Sequence, residues 1–285
     1  MIQHICVIGA GTMGSGIALV AAQGGFVTTL FDVNIIMLDK ATTAIKANLD
    51  FLINKQKITA NEASVIFCRI NFVSGIQQCK ADLLIEAIVE NAVAKIELFN
   101  KLAAVNDAIA IFASNTSSLS ISTLQASINR PERVVGMHFF NPAQIMKLVE
   151  VVQGEHTADA VAQTVYDLCK QLNKMPVLCK DAPGFIVNRV ARHYYLEAMK
   201  IVEQGIATIE SVDAIMEATG FKMGPFKLMD LIGLDINLSV TKSLYSAFKS
   251  AERFKPAAMQ IDKVTKGELG KKSGKGFYEY IHSSL

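Results

Sequence analysis

The chain has 285 residues, 51% of them hydrophobic, which is enough for one large or two ordinary buried cores. Its 28 basic and 26 acidic residues are spread along the sequence and leave a net charge of +2, so no basic surface for nucleic acid or membrane lipid is evident. No run approaches the ~20 apolar residues that span a bilayer. Glycines interrupt the apolar N-terminus, and it lacks the cationic leader of a signal peptide. We therefore expect a cytoplasmic protein that binds neither nucleic acid nor membrane.

The cysteine content favours a reducing compartment. The chain has five cysteines, an odd number, and no two of them form a C-x-x-C pair. Both features argue against the disulfide framework of a secreted protein, and no metal site is predicted. We expect all five side chains to be small buried hydrophobic groups: Cys6, Cys68, Cys79, Cys169 and Cys179.

The first part of the chain alternates between strand-like and helix-like segments. Strands are predicted over residues 2–8, 27–31, 83–86, 109–113 and 133–137. Helices are predicted over residues 16–23, 34–55, 93–104 and 120–126, with Asn34 as an N-cap and a Thr59/Glu62 capping box that starts another short helix. Alternating strands and helices favour a mostly parallel sheet covered on both faces, which is an α/β Rossmann-type doubly wound fold.

The pattern changes after about residue 180. Residues 185–204, 208–219 and 225–249 are long periodic segments without a convincing strand between them. We place a boundary at the Asp181-Ala182-Pro183-Gly184 segment. The prediction is a Rossmann domain over residues 1–182 and an all-α C-terminal domain over residues 183–285.

A glycine-rich loop after the first strand indicates a dinucleotide cofactor. The residues Gly9, Ala10, Gly11, Thr12, Met13 and Gly14 have G-x-G-x-x-G spacing, and a helix that can hold a pyrophosphate at its N-terminus follows. Asp32 ends the next strand, where a carboxylate accepts hydrogen bonds from a ribose 2′-hydroxyl and repels a 2′-phosphate. NAD is therefore favoured over NADP. The alternative is that Asp32 only caps a helix or a turn.

Two residues in the segment GMHFFNPAQIMKLVEVV suggest acid–base chemistry. His138 follows a predicted strand, and Glu150 lies twelve residues later within an apolar strand-like run. A histidine can act as a general base when a buried carboxylate holds its other ring nitrogen protonated. The alternative is structural, because most histidines satisfy local hydrogen bonds and a glutamate in a strand often faces water.

Five motifs are spread over the whole chain: the glycine loop and residues 114–118 (SNTSS), 138–142 (HFFNP), 183–189 (PGFIVNR) and 270–278 (GKKSGKGFY). Together they are similar to those of the short-form L-3-hydroxyacyl-CoA dehydrogenases, and most similar to those of bacterial 3-hydroxybutyryl-CoA dehydrogenases. The resemblance implies an NAD-binding Rossmann domain and a helical domain that completes the substrate cleft and forms a homodimer. It also implies reversible NAD-dependent oxidation of (3S)-3-hydroxyacyl-CoA, with 3-hydroxybutyryl-CoA as the expected substrate, in fatty-acid or butanoate metabolism.

The resemblance also implies roles for individual residues. His138 matches the catalytic base and Glu150 the carboxylate that orients it, while Ser117 and Asn188 match polar groups that hold the reacting oxygen and the histidine. Other positions match residues that line the dinucleotide, namely Glu90, Lys95, Ser117, Asn141 and Lys272. Asn48 and Lys55 align with contacts to CoA, although the family usually has a serine in place of Asn48. From the residues alone, the alternatives are that Ser117 only caps the next helix and that Lys55 only belongs to a solvated helix end.

Two other functions remain open at this stage. One is an NAD-dependent dehydrogenase of a hydroxy acid without CoA, such as a sugar acid. The other is a non-catalytic relative that binds NAD, which the presence of both His138 and Glu150 argues against. Neither the acyl chain length nor the physiological direction of the reaction follows from the sequence.

Overall fold

A computed structural model describes residues 2–280 of the chain. The chain divides into two compact units, one up to Ala182 and the other from Pro183 onward. In the described part of the chain, no helix has both the length and the apolar character needed to cross a membrane.

The first unit consists of one sheet and its covering helices. Its strands are β1 (His4–Ile8), β2 (Val27–Phe31), β3 (Ile70–Val73), β4 (Leu83–Glu86), β5 (Ile111–Ser114), β6 (Val134–Phe139), β7 (Leu148–Gln153) and β8 (Met175–Lys180). Its helices are α1 (Thr12–Gln23), α2 (Ile35–Asn54), α3 (Ala60–Cys68), α4 (Ala92–Val105), α5 (Ile121–Gln125) and α6 (Asp159–Gln171). The predicted doubly wound α/β class is confirmed.

The strand order in the sheet is β3-β2-β1-β4-β5-β6-β7-β8. Strands β1 to β6 run parallel to one another, whereas β7 runs antiparallel to β6 and β8 runs parallel to β7. The chain moves outward from β1 in one direction to β3 and then returns to β4 on the other side. The carboxyl ends of β1 and β4 therefore flank a topological switch point, where open α/β sheets bind their ligands.

Local signals in the sequence start α2 and α3 where they were predicted. The Asn34 side chain accepts a hydrogen bond from the Ile36 amide and caps α2. The Thr59 hydroxyl accepts from the Glu62 amide while the Glu62 carboxylate accepts from the Thr59 amide, which is the predicted capping box of α3. Helix α1 begins at Thr12, four residues before its predicted start, because the glycine loop itself forms the first turn.

The end of β6 also differs from the prediction. The strand continues two residues beyond the predicted end at Met137 and includes His138 and Phe139. A short connection then leads into β7, which pairs with β6 in antiparallel register. The histidine is therefore held in a regular strand rather than in a loop.

The second unit is helical, as predicted. Its helices are α7 (Val187–Glu203), α8 (Ile209–Ala218), α9 (Pro225–Ile232), α10 (Leu234–Ala247) and α11 (Ala258–Thr265). The prediction of one helix over residues 225–249 is wrong, because Gly233 separates α9 from α10 with a φ of 102°. That conformation is accessible to glycine and ends a right-handed helix.

Two buried carboxylates hold the second unit together. Asp230 in α9 accepts hydrogen bonds from the amides of Phe277 and Tyr278 and from the Tyr280 hydroxyl. A Cβ added to Gly276 would lie 2.1 Å from Asp230 Oδ1, so only glycine permits this approach. The closing glycine- and lysine-rich motif is thus explained in part by packing: its backbone fastens to Asp230. Asp213 in α8 likewise accepts from the amides at the start of α9.

The cysteines do not all behave as predicted. Cys6, Cys79 and Cys169 are buried and Cys179 is half-buried, but Cys68 at the end of α3 is exposed. The prediction that all five are buried is wrong for Cys68, whose position at the last residue of a short surface helix points it to solvent.

Candidate active site

The glycine loop has the shape needed to receive a pyrophosphate. Gly9 has a φ of 102°, and a Cβ there would lie 2.7 Å from the Ala87 carbonyl oxygen. A Cβ on Gly14 would lie 1.7 Å from the Gly9 carbonyl oxygen, whereas one on Gly11 would meet no atom within 4 Å. Two glycines therefore permit close packing, and the third leaves open space in front of α1. No side chain caps α1 and its first turn has no acidic residue, so its N-terminus suits an anion.

Asp32 lies beside this loop at the end of β2. Its Oδ2 accepts a hydrogen bond from the Ala10 amide at 2.8 Å, and its Oδ1 accepts from the Asn34 amide at 2.9 Å. These two hydrogen bonds are the ones expected if Asp32 stabilises a turn, which was the alternative to a role in binding ribose. It is only partly buried, so acceptor positions remain for the hydroxyls of a ribose. The residues of this edge fit NAD.

The strand order indicates in which direction a bound dinucleotide would extend along the carboxyl edge of the sheet. Asp32 follows β2, on one side of β1, whereas β4, β5 and β6 lie on the other side. A dinucleotide with its pyrophosphate at α1 and its adenosine ribose at Asp32 would have its nicotinamide half towards the ends of β4 and β5. The next strand in that direction is β6, which carries His138.

His138 and Glu150 lie directly opposite each other on β6 and β7. His138 Nδ1 and Glu150 Oε2 are 2.8 Å apart, and both residues are buried. Phe139 is buried, and the Phe140 ring lies 4.5 Å from the imidazole ring, centroid to centroid. A carboxylate in contact with Nδ1 favours a proton on that nitrogen and leaves Nε2 as the basic nitrogen of the neutral ring.

Ser117 lies in a turn after β5, and the Glu90 carboxylate accepts several hydrogen bonds from that turn. Glu90 Oε1 accepts hydrogen bonds from the Thr116 hydroxyl at 2.5 Å, from the Ser117 amide at 3.1 Å, and from the amide and hydroxyl of Ser118. Burial acts to raise the pKa of the Glu90 carboxyl, but the Lys95 ammonium and these hydroxyl donors outweigh it and lower the pKa. Glu90 therefore acts on the Ser117 turn as an ionised acceptor.

Lys95 is completely enclosed. Its Nζ lies 2.5 Å from Glu86 Oε1 and 3.2 Å from Glu90 Oε2, and only 1% of its side chain is exposed. Glu86, at the end of β4, also accepts from the Ile88 amide and the Ser114 hydroxyl. The sequence analysis missed Glu86, although a carboxylate that ends an apolar strand at the ligand-binding edge is a usable signal.

A second missed residue connects this turn to the histidine strand. The Asn115 side chain accepts a hydrogen bond from the Phe139 amide at 2.8 Å. The amide of Asn115 in turn donates to the Glu86 carbonyl oxygen at 2.8 Å. The Ser117 turn and the His138 strand are thus fixed relative to each other by one asparagine.

Three further predicted residues lie elsewhere in the first unit. Asn141 is exposed just after β6. The Asn48 side chain donates to the Ala44 carbonyl oxygen and accepts from the Gln144 side chain at 3.2 Å. Lys55 is exposed at the end of α2, with its Nζ 5.7 Å from the centre of the Phe51 ring.

The remaining two predicted residues belong to the second unit. Asn188 is half-buried and occupies the second position of α7. The periodic segment expected from residue 185 becomes helical only at Val187, so Asn188 lies in the first turn of α7. Lys272 pairs with Asp235, with its Nζ 2.5 Å from Asp235 Oδ1. Within residues 2–280, no cluster of three His, Cys, Asp or Glu side chains could hold a metal ion.

Both units match domains of one known protein family. Residues 4–182 match the NAD-binding domain of 3-hydroxyacyl-CoA dehydrogenase, and residues 184–280 match the C-terminal domain of the same enzyme.

Individual relatives agree with these matches. The chain is 45% identical over 281 residues to a 3-hydroxyadipyl-CoA dehydrogenase of Escherichia coli, covering 98% of this chain but only 59% of that protein. It is 41% identical to a probable 3-hydroxybutyryl-CoA dehydrogenase of Bacillus subtilis, covering 98% of both chains. The crystal structure of (S)-3-hydroxybutyryl-CoA dehydrogenase from Ralstonia eutropha superimposes with a TM-score of 0.94 at 36% identity, covering 98% of this chain and 99% of that one.

Proposed function

The chain belongs to the 3-hydroxyacyl-CoA dehydrogenase family, and from that premise we propose that it catalyses the reversible oxidation of (3S)-3-hydroxyacyl-CoA to 3-oxoacyl-CoA. Membership confirms the predictions of NAD as the cofactor and of an oxidoreductase of this class. A short acyl chain, as in 3-hydroxybutyryl-CoA, is the proposed substrate because several relatives are named for it. The E. coli relative named for 3-hydroxyadipyl-CoA is the reason to test a dicarboxylic acyl chain as well.

The observation that carries the proposal is the buried His138–Glu150 pair beside the nicotinamide end of the crevice. Oxidation of a secondary alcohol requires loss of the hydroxyl proton as the carbon loses a hydride, since negative charge otherwise accumulates on the oxygen. We assign His138 Nε2 as the acceptor of that proton, with Glu150 stabilising the imidazolium through Nδ1, 2.8 Å away. NAD, when bound, supplies the hydride acceptor.

Ser117 and Asn188 are proposed to position the substrate oxygen and the histidine. Support for Ser117 comes from its fixed turn next to the β6 strand, where Glu90 and Asn115 limit its movement. A donor held in place before the reaction begins costs no reorganisation when charge develops on the oxygen. For Asn188 the support is the family resemblance and its position in the first turn of α7.

For the cofactor, we propose that Asp32 holds the adenosine ribose and that the glycine loop holds the pyrophosphate. Asn141 and Lys272 are assigned to the same cofactor on family resemblance, and Asn48 and Lys55 to CoA on the same basis. The Asn48 side chain accepts a hydrogen bond from Gln144. A contact between Asn48 and CoA would require this hydrogen bond to break or Asn48 to bind both partners.

We further propose a cytoplasmic homodimer that associates through the second unit. The support is the family resemblance, and a contact with a second copy would cover several large apolar side chains that this unit exposes. They include Val190, Ile206, Ile215 and Phe221, each at least 50% exposed.

The test is reduction of acetoacetyl-CoA, followed by the loss of NADH absorbance at micromolar enzyme. The proposal predicts NADH oxidation that depends on the CoA ester and is much slower with NADPH. Free acetoacetate is the matched control for the CoA moiety. Absence of turnover with acetoacetyl-CoA, together with turnover of a free hydroxy acid, would replace the proposed substrate class by an acid without CoA.

A further inference from the structure

The end of β4 carries an excess of negative charge. Glu86 and Glu90 supply two carboxylates, and Lys95 supplies one ammonium between them at 2.5 and 3.2 Å. Within residues 2–280, no further charged side chain forms a salt bridge with these three. We call them the β4 charge cluster, and its formal charge is −1.

The hydrogen bonds of the cluster suit ionised carboxylates. The oxygens of Glu86 accept from the Lys95 ammonium, the Ile88 amide and the Ser114 hydroxyl, which are all donors. Glu90 accepts from hydroxyl and amide donors, and its pKa is lowered as described above. Since one ammonium cannot neutralise two carboxylates, the cluster has a formal charge of −1.

The cluster begins at the carboxyl end of β4, on the side of β1 opposite Asp32. The segment after Glu86 contacts the glycine loop, since a Cβ on Gly9 would lie 2.7 Å from the Ala87 carbonyl oxygen. With the ribose at Asp32 after β2, the other half of a dinucleotide extends over β4 and β5. The turn that Glu90 holds contains Ser117, which we assign to the reacting centre.

We infer that the β4 charge cluster biases the site towards NAD+ and against NADH. The inference rests on the proposed function for the placement of the cofactor. The nicotinamide ring of NAD+ carries a positive charge that NADH lacks, while the rest of the two molecules is the same. A fixed negative charge near the ring therefore stabilises the oxidised form selectively. In alcohol oxidation this bias favours capture of NAD+ and release of NADH.

The test is the ratio of two dissociation constants, Kd for NADH divided by Kd for NAD+, measured by calorimetry at one low ionic strength. Glu90→Gln and Glu86→Gln each remove one negative charge with little change in shape. We expect each to lower the ratio by about three- to tenfold, as a unit charge several ångströms from the ring would. Using a ratio cancels any structural loss that weakens both ligands equally.

Two comparisons separate charge from shape. Glu97→Gln removes the same charge from an exposed position of the same helix, α4, and should leave the ratio unchanged. Lys95→Met makes the cluster more negative and should raise the ratio. Its buried site makes it the variant most sensitive to misfolding; should it fail to fold, the two glutamine variants decide the matter alone. Binding of ADP-ribose, which lacks the nicotinamide, measures any change in affinity for the rest of the cofactor, and in Glu97→Gln it should equal the parent value.

The results distinguish this inference from the proposed function. A ratio within twofold of the parent value in both Glu86→Gln and Glu90→Gln overturns the inference, even for an enzyme active on acetoacetyl-CoA. Equal shifts in Glu97→Gln overturn it too. The expected shifts in a protein that binds both cofactor forms but does not reduce acetoacetyl-CoA leave the inference standing and remove the proposed substrate. A parent protein that binds neither cofactor form contradicts both.

Discussion

His138 and Glu150 are paired residues of one antiparallel ladder, with His138 Nδ1 2.8 Å from Glu150 Oε2. Their spacing of twelve residues covers the end of β6, the connection and the first residues of β7. Because both backbones belong to the sheet, the carboxylate reaches the imidazole without a flexible loop. Main-chain hydrogen bonds thus determine which ring nitrogen the carboxylate contacts.

Glu150→Gln should reduce turnover while leaving cofactor binding intact. A neutral amide can donate to Nδ1 and stabilise the wrong tautomer, and it no longer stabilises the imidazolium; we expect a loss of about 10²- to 10⁴-fold in kcat. Kd for NADH should stay within a few-fold of the parent value. Turnover near the parent rate would show that the carboxylate has no part in catalysis.

The stability contribution of Glu90 should depend on pH. Its folded-state pKa is lowered, so the carboxylate stabilises the native state above the ordinary glutamate pKa of about 4.3. This contribution is lost as the pH falls through the lower folded-state value. The difference in unfolding free energy between the parent and Glu90→Gln, from urea titrations, should therefore be larger at pH 7 than in acid. A constant difference across pH would contradict the assignment.

Asp230→Asn should destabilise the second unit. The buried carboxylate accepts from two amides and one hydroxyl, and an amide cannot accept at both positions. Leaving a donor unsatisfied and removing the charge should cost about 2–5 kcal/mol in unfolding free energy. The control is Asp262→Asn, an exposed partner of Lys266, for which a change within about 0.5 kcal/mol is expected. Similarly small losses of unfolding free energy in both variants would show that Asp230 does not stabilise the second unit.

A single fast-reacting thiol should be detected in the native protein at pH 8. Cys68 is exposed, whereas burial raises the pKa of Cys169 to about 12 and that of Cys179 to about 11, which keeps these thiols protonated. We expect an aromatic disulfide reagent to modify one equivalent rapidly, and Cys68→Ser to abolish that phase. Persistence of the fast phase in Cys68→Ser would place the reactive thiol elsewhere.

The sequence could predict the fold wherever the signal was local. The glycine loop, the Asn34 cap and the Thr59/Glu62 box each depend on residues within a few positions of one another, and the helices start where these signals lie. The break at Gly233 was missed because the apolar period continues across it. A lone glycine within a periodic segment does not reveal its positive φ.

The candidate site shows which contacts local sequence patterns do not predict. His138 and Glu150 were identified from residue type and context, but their pairing depends on the register of β6 and β7, which no local pattern specifies. Glu86 and Asn115 were missed because the sequence does not show their partners. Glu86 accepts from Lys95 of helix α4, and Asn115 accepts from the Phe139 amide of strand β6. A polar residue at the end of an apolar strand is ambiguous until its partner is known.

The most direct test of the account is the comparison of His138→Gln with the parent protein in acetoacetyl-CoA reduction by NADH, with Kd for NADH measured on the same samples. Glutamine keeps hydrogen-bonding capacity but cannot exchange the proton at neutral pH. The account predicts an unchanged Kd and a kcat lowered by about 10²- to 10⁴-fold. Near-parent turnover in a variant that binds NADH normally would contradict it.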